Sequence, residues 1–466
     1  MREAEDLARL GNGAIVAPAG HGKTEQIAKV AALGRRTLIL THTHAGVHAI
    51  RARLKRLKVP HAAAVVDTIA GWSMRYAHAF PGIAQPCEGM PQGAQWDDLY
   101  RGTIQALAIR AVRQVVEASY DRILIDEYQD CNGLQHELAM TLSTIVPTLI
   151  FGDPMQGIFE FAGATLNWER TIFPWFPLVD ELDVPHRWEN RNPELGEWIA
   201  EVRERLVRGE GIDLSVGPVA FRRADTAFDM GPLFDGFNGV QGSLAAIHCN
   251  KGICYRLARA AGGGYQAIEE VAARRLQEFC TAWDACDSRQ SRVDVITSLV
   301  DDCINVKALE AGEEDNIADL ATNARIRTAV AELFGLGAAE AEAGATVLSL
   351  IPRRARYQLY RRELWRDVER AMADVAAGRC ASMTEAAERI RQRASLTGRR
   401  LPQRTVSTPL LLKGLEFDHV VVPDAAHFTR EQRAQAKLFY VAISRATRSL
   451  TISAPDNWVH FQRPDF

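Results

Sequence analysis

The sequence has no Cys-x-x-Cys pair. Its eight cysteines are scattered, which argues against a zinc ribbon, an iron–sulfur cluster or a disulfide scaffold and suits a reducing compartment. Cys249 and Cys254 come closest to a doublet and read as two buried thiols. No apolar run reaches the ~18 residues of a membrane helix, and the first residues lack the basic-then-apolar pattern of an export signal. The expectation is a soluble, cytoplasmic chain with no membrane partner. An excess of one charge is missing too. With 55 Lys and Arg against 58 Asp and Glu the formal net charge is -3, so the surface is not uniformly basic, and any nucleic acid must be held by local clusters and by stacking. Beyond the Ala/Glu-rich stretch Ala338 to Ala345 there is no repeat or low-complexity tract. What is present is ordinary globular composition, 47% hydrophobic and 24% charged over 466 residues, enough mass for about three domains.

The most informative segment is Ala17-Pro18-Ala19-Gly20-His21-Gly22-Lys23-Thr24, directly after the apolar run Ala14, Ile15, Val16. A strand feeding a Gly-containing loop into a helix lets successive backbone N–H groups converge on phosphate oxygens, where larger side chains at Gly20 and Gly22 would obstruct. Lys23 then reaches the outer phosphates and Thr24 binds Mg²⁺. Ala17 stands where the usual pattern has Gly. A second half lies at Ile123, Leu124 and Ile125, a buried-strand pattern ending in Asp126 and Glu127. Ligands collect beyond the carboxyl ends of parallel strands, so Asp126 is placed to hold the metal through water and Glu127 to orient or deprotonate an attacking water. Together the two halves predict ATP hydrolysis.

Thr37 to Leu40, Val65 to Asp67 and Thr148 to Phe151 repeat the strand-then-polar arrangement. Five such strands predict an α/β fold with a doubly wound parallel sheet. The expected domains are residues 1–80 with 118–176 as a first sheet domain interrupted by a small insertion at 81–117, then 177–262 with 401–466 as a second sheet domain. Val179 to Leu182, Leu244 to Ile247, Val420 to Val422 and Leu450 to Ile452 read as strands of that second sheet. Between them, 263–400 reads as a helical insertion, from Ile268, Val271, Leu276, Phe279 and Trp283 and from Tyr357, Tyr360, Leu364 and Val368.

Four further segments match in order. They are Asp126-Glu127-Tyr128-Gln129-Asp130, the run from Gly152-Asp153-Pro154-Met155-Gln156 to Gly163-Ala164, then Lys413-Gly414-Leu415-Glu416-Phe417-Asp418, and finally Tyr440-Val441-Ala442-Ile443-Ser444-Arg445-Ala446. On these the chain resembles the UvrD/Rep/PcrA branch of superfamily 1 DNA helicases, over most of residues 13–190 and 405–455. The resemblance implies two RecA-like domains with ATP bound between them. It implies that Arg445 is the arginine finger, that Arg187 in Pro185-His186-Arg187 is a second phosphate contact, and that Gln156 senses the γ-phosphate. Glu416 would contact the ribose, and His186 stands where the family stacks a Tyr on the base.

For DNA, the resemblance implies that Phe159 and Phe161 stack on single-stranded bases and that Thr41, Thr43 and Thr68 touch the backbone. His42, His44 and His48 are not read as a metal site. The basic-aromatic stretch from Arg353 to Trp365 reads either as a second nucleic-acid surface or as a solvated helix face. The function so implied is an ATP- and Mg²⁺-dependent translocase or helicase on single-stranded DNA or single/double-strand junctions, moving 3′ to 5′. The alternative is a DNA-sensing ATPase switch that regulates a partner nuclease, as compact UvrD-like subunits do in antiphage systems such as Gabija.

Overall fold

The computed structural model describes residues 2–158, 166–268, 272–307, 317–333, 338–397, 402–431 and 434–466. The chain forms two compact units. One comprises residues 1–221, 426–450 and 456–466, the other residues 222–425 and 451–455.

The first unit is built on a sheet of β1 (Gly13–Val16), β2 (Thr37–Thr41), β3 (Ala64–Thr68), β4 (Arg122–Ile125), β5 (Thr148–Gly152) and β6 (Leu178–Glu181), in the order β3-β2-β4-β5-β1-β6. All neighbours run parallel. The order follows from composition. Strands with apolar residues on both faces must be central, because helices cover a parallel sheet on both sides; β1, β2 and β5 are buried throughout, whereas β3 and β6 alternate or lie half-exposed and form the edges. The two-residue period then sorts the core. Ala14, Val16, Leu38, Leu40, Ile123, Ile125 and Ile150 face one layer. Ile15, Ile39, Leu124, Leu149 and Phe151 face the other, beneath the helices Lys23–Leu33 and His44–Arg56.

All five strands read from the sequence are present, and β6 adds a correction. The segment Val179 to Leu182, expected to open the second sheet, pairs with β1 in the first. Its polar half, Asp180 and Glu181, suits an exposed edge, and the sequence pattern did not reveal which sheet it would join. The segment 81–117 is more than an appendage, for Tyr100, Leu107, Val112 and Val116 fill the first core layer.

In the second unit, β9 (Leu244–Ile247), β13 (Arg404–Ser407), β14 (Phe417–Val422) and the short β10 (Gln266–Ala267) pair in parallel. They belong to a sheet of order β10-β13-β9-β14-β15-β8, where β8 is Ala220–Arg223 and β15 is Ala446–Ala454. Within 263–400 the described residues are mainly helical. Leu276, Phe279, Trp283, Leu364, Trp365 and Val368 share one core. The helical reading fails at Tyr357, which lies on β12 (Tyr357–Leu359), antiparallel to β11 (Ile304–Val306); the helix begins only at Arg362. The short β7 (Ile212–Asp213) and β16 (Trp458–Val459) form a further antiparallel pair. Among the described residues no helix is long and apolar enough to cross a membrane.

Candidate nucleotide site and nucleic-acid residues

The loop after β1 turns through Gly20 and Gly22, both left-handed at φ +79° and +81°. At Gly20 a side chain is excluded twice over, since a Cβ would also sit 2.6 Å from the Trp188 ring. Gly22 caps the helix Lys23–Leu33, so Lys23 and Thr24 occupy its first turn, where unpaired N–H groups favour anions. The loop is held from above by the segment around Trp188. Arg187 N–H donates to Gly20 O (3.0 Å), and Trp188, fully buried, donates from Nε1 to Ala446 O (2.6 Å). From the helix Gln435–Ile443, the Tyr440 hydroxyl accepts the Ala19 N–H at 2.9 Å. Burial lowers the pKa of His21, leaving a neutral imidazole whose Nδ1–H donates to Ala19 O.

Lys23 meets both acids of the second motif. Its ammonium lies 3.0 Å from Asp126 Oδ1 and 2.5 Å from Glu127 Oε1. Burial works against the charge on Lys23, but the two carboxylates overcome it and hold the ammonium above the usual lysine range. Asp126 is pushed up by its own burial and by the like charge of Glu127, while Lys23 pulls it back. Glu127 adopts a left-handed φ of +56°, rare for a non-glycine residue and an observed strain at the strand end. Its second oxygen accepts from Gln129 Nε2.

Gln129 also ties the acidic motif to the next one, because its Oε1 accepts the Asp153 N–H at 3.1 Å. Asp153 is completely buried. It accepts from Gln156 Nε2 (2.9 Å) and Met155 N (3.1 Å), and it pairs with Arg203 Nη2 at 3.3 Å. Arg203 is itself buried and also meets Glu181 and Glu204. Removing one partner of a buried pair leaves the other uncompensated. Arg203→Met is therefore expected to cost about 3–5 kcal/mol of stability, read by denaturant titration; a loss near zero would show that Asp153 finds another partner.

Arg187 donates from Nη1 to Ser444 O (2.6 Å), Arg191 to Thr447 Oγ1 (2.8 Å) and Asn192 to Arg448 O (2.8 Å). These bonds dock the segment 187–192 on the segment that carries Arg445. Arg445 is buried, its Nε donating to Val441 O (3.0 Å) and its Nη2 to Ser444 Oγ (2.9 Å). The fold thus brings Lys23, Asp126, Glu127, Gln156, Arg187 and Arg445 into one compact unit. His186 lies over Gly22, with its Nδ1 2.6 Å from Glu189 Oε1. Glu416 is exposed just before β14 and belongs to the second unit.

The residues expected to touch DNA divide. The Thr43 and Thr68 oxygens cap helices, accepting from Gly46 N and Gly71 N; Thr43 is exposed, whereas Thr68 is buried. Thr41 is buried against Gly46 and does not present its side chain to a strand, because the next element packs on it. Phe159 and Phe161 lie outside the described residues. Of the histidines not read as a metal site, His42 has its Nε2 3.4 Å from Cys131 Sγ, which the fold brings there from 89 residues away. In the basic-aromatic stretch, Tyr360 and Trp365 are buried and Arg361 pairs with Asp302, so it is not a continuous exposed surface.

Gln129, Asp153, Arg203 and Tyr440 escaped assignment. The first two and Tyr440 stood inside recognised motifs, whereas Arg203 is one charge in a mixed helix, Glu-Val-Arg-Glu-Arg, and carries no sequence signal.

A phosphate loop and a strand-end carboxylate pair on a wholly parallel sheet, with a second sheet in the other unit, define a P-loop NTPase of RecA-like architecture. The UvrD/REP helicase N-terminal domain family matches residues 76–169 and the UvrD-like helicase C-terminal domain family matches residues 406–453. These two segments of the chain are thus similar to the N-terminal and C-terminal domains of UvrD/REP-like helicases. No curated protein matches it in sequence. Among solved structures it is similar to an arterivirus nonstructural protein 10 helicase in complex with DNA, at 11% identity and a TM-score of 0.34, over 97% of this chain and 62% of that one. The chain thus spans less than two thirds of that helicase.

Proposed function

We propose that the chain is an ATP-driven translocase on single-stranded DNA, moving 3′ to 5′ and acting at single/double-strand junctions. The observation that supports this most is the Lys23 ammonium held between Asp126 and Glu127 at the head of a glycine-cradled helix. That arrangement fits a nucleoside triphosphate with its cation. Gly20 and Gly22 leave the loop backbone bare, and the Lys23 charge is already desolvated, which strengthens its hold on phosphate. Thr24 and Asp126 would hold Mg²⁺, which when bound neutralises charge on the phosphate oxygens. Glu127 then serves as the base that orients water, fixed through Gln129, while Gln156 reports the γ-phosphate to Asp153. Arg187 and Arg445 stabilise charge developing on the transferred group.

ATPase and strand-displacement assays with and without single-stranded DNA test the reading. DNA-stimulated hydrolysis with 3′-to-5′ unwinding is the expected result. Stimulation without movement points instead to a DNA-sensing switch acting on a partner nuclease, and DNA-independent turnover refutes both. Glu127→Gln is expected to keep nucleotide binding within about threefold while lowering turnover by on the order of 10²; undiminished turnover would remove Glu127 from the mechanism.

A further inference from the structure

Between Glu25 and Asp67 the sequence holds no acidic residue at all, yet it holds eight lysines and arginines and four histidines, in a chain whose net charge is -3. Most of this segment builds one structure, the helix Lys23–Leu33, strand β2 and the helix His44–Arg56, which bury Ile27, Ile39, Val47, Ile50 and Leu54 against one face of the first sheet. Beside that buried stripe, about a quarter-turn round the helix His44–Arg56, lies a second one. His44, His48, Arg51 and Lys55 recur at helical spacing and are all exposed, and Lys58 continues the row just beyond the helix. The acid nearest in sequence is already taken. Glu25 pairs with Arg53 at 2.8 Å and with Arg56 at 2.5 Å, leaving Arg51, Lys55 and Lys58 as the outward cations. Arg51 is steadied by a 2.8 Å bond from Nη2 to Val66 O on the edge strand β3.

From this we infer that the exposed flank of the helix His44–Arg56 that carries His44, His48, Arg51 and Lys55 is a docking surface for the phosphate backbone of duplex DNA, lying outside the path of the translocated strand. The inference rests on the nucleic-acid reading above. Three observations favour a duplex as the occupant. The row runs about 16 Å along the helix, the rise of roughly five base pairs. It contains no Phe, Tyr or Trp on which unstacked bases could lie. It also begins at Thr43, the cap residue beyond the carboxyl end of β2, so a duplex arm on this face would continue from the strand end where the single strand is proposed to run. Such a contact reads no sequence and adds affinity through counterion release alone.

The test is the salt dependence of binding to a blunt duplex and to a single strand, by fluorescence anisotropy with the full chain. Arg51→Gln/Lys55→Gln/Lys58→Asn removes three cations, with Asn at 58 because that residue is left-handed, at φ +57°. The log–log salt slope for the duplex is expected to fall in magnitude by about 2.7, since each phosphate contact contributes about 0.9, and duplex affinity by at least tenfold at low salt. Single-strand binding should change less than threefold. As a control, Arg53→Gln/Arg56→Gln alters the same helix at positions already paired with Glu25 and should leave the duplex slope within one unit. Melting temperatures confirm folding in each variant. An unchanged duplex slope overturns the inference, including the case in which the face binds an acidic protein. An equal fall in the triple variant and the control also overturns it, by showing a diffuse field instead of a face. A wild-type chain whose ATPase ignores DNA refutes the translocase, while the duplex slope still reads this surface by itself.

Discussion

Lys23→Ala is expected to lower ATP turnover by on the order of 10² to 10³, the loss that follows removal of one preorganised charge from a desolvated site. Two effects act together. The phosphates lose their only desolvated lysine contact in the loop, and Asp126 and Glu127, which now share that ammonium at 3.0 and 2.5 Å, face each other with no cation between them. Two like charges left without their shared cation repel, the more so because Asp126 is buried. The native fold is therefore expected to lose stability as well, which complicates any reading from activity alone. Lys23→Arg resolves this. It restores a positive charge between the carboxylates, but a planar, delocalised fork replaces a compact ammonium at the phosphate position. The expected pattern is recovered melting temperature with turnover still depressed, measured by phosphate release and thermal unfolding. Normal turnover in either variant would place the chemistry elsewhere.

The legible parts of this site are the parts that one local stretch of chain builds. Gly20, Gly22, Lys23 and Thr24 are a strand, a loop and a helix start in succession, and Asp126 with Glu127 ends a strand whose residues Ile123 to Ile125 can only be buried. Their types and spacing express the geometry. What could not be read was assembly at a distance. Asp153 is a buried charge only because Arg203, fifty residues away on an otherwise ordinary charged helix, lies against it. Tyr440 is a support of the phosphate loop only because the fold brings its hydroxyl to the Ala19 amide, 421 residues away in sequence. The same limit explains β6. Leu178 to Glu181 shows that it is a strand, but which sheet it joins is decided by the partner edge offered by β1, and half-exposed edge strands carry the weakest register information. Tyr357 illustrates the opposite failure, where apolar spacing near three residues suits a helix but the residue pairs with Val306 in a two-stranded ribbon.

Arg445→Ala is expected to lower turnover by on the order of 10³, at the lower end of what an arginine finger supplies, with nucleotide affinity changed far less. The structure gives the side chain a second duty that must be separated from the first. Its Nε bonds Val441 O and its Nη2 the Ser444 hydroxyl, at the carboxyl end of the helix Gln435–Ile443, where a cation satisfies late carbonyls and complements the helix dipole. A purely structural arginine would reveal itself through stability. Arg445→Lys would then restore both melting temperature and turnover, because an ammonium also serves a helix end. A finger behaves differently, since charge spread over equatorial oxygens is met by a fork and not by a point, so the lysine variant should recover the fold but not the rate. Arg187 provides the cross-check. Its guanidinium bonds Ser444 O at 2.6 Å, which couples the two arginines through one residue, and side chains that act on a shared group are not additive. The double variant Arg187→Ala/Arg445→Ala should therefore lose much less rate than the product of the single losses. Fully multiplicative losses would mean that the two arginines act independently, and turnover per folded molecule that is unchanged in Arg445→Ala would leave this residue a helix cap and nothing more.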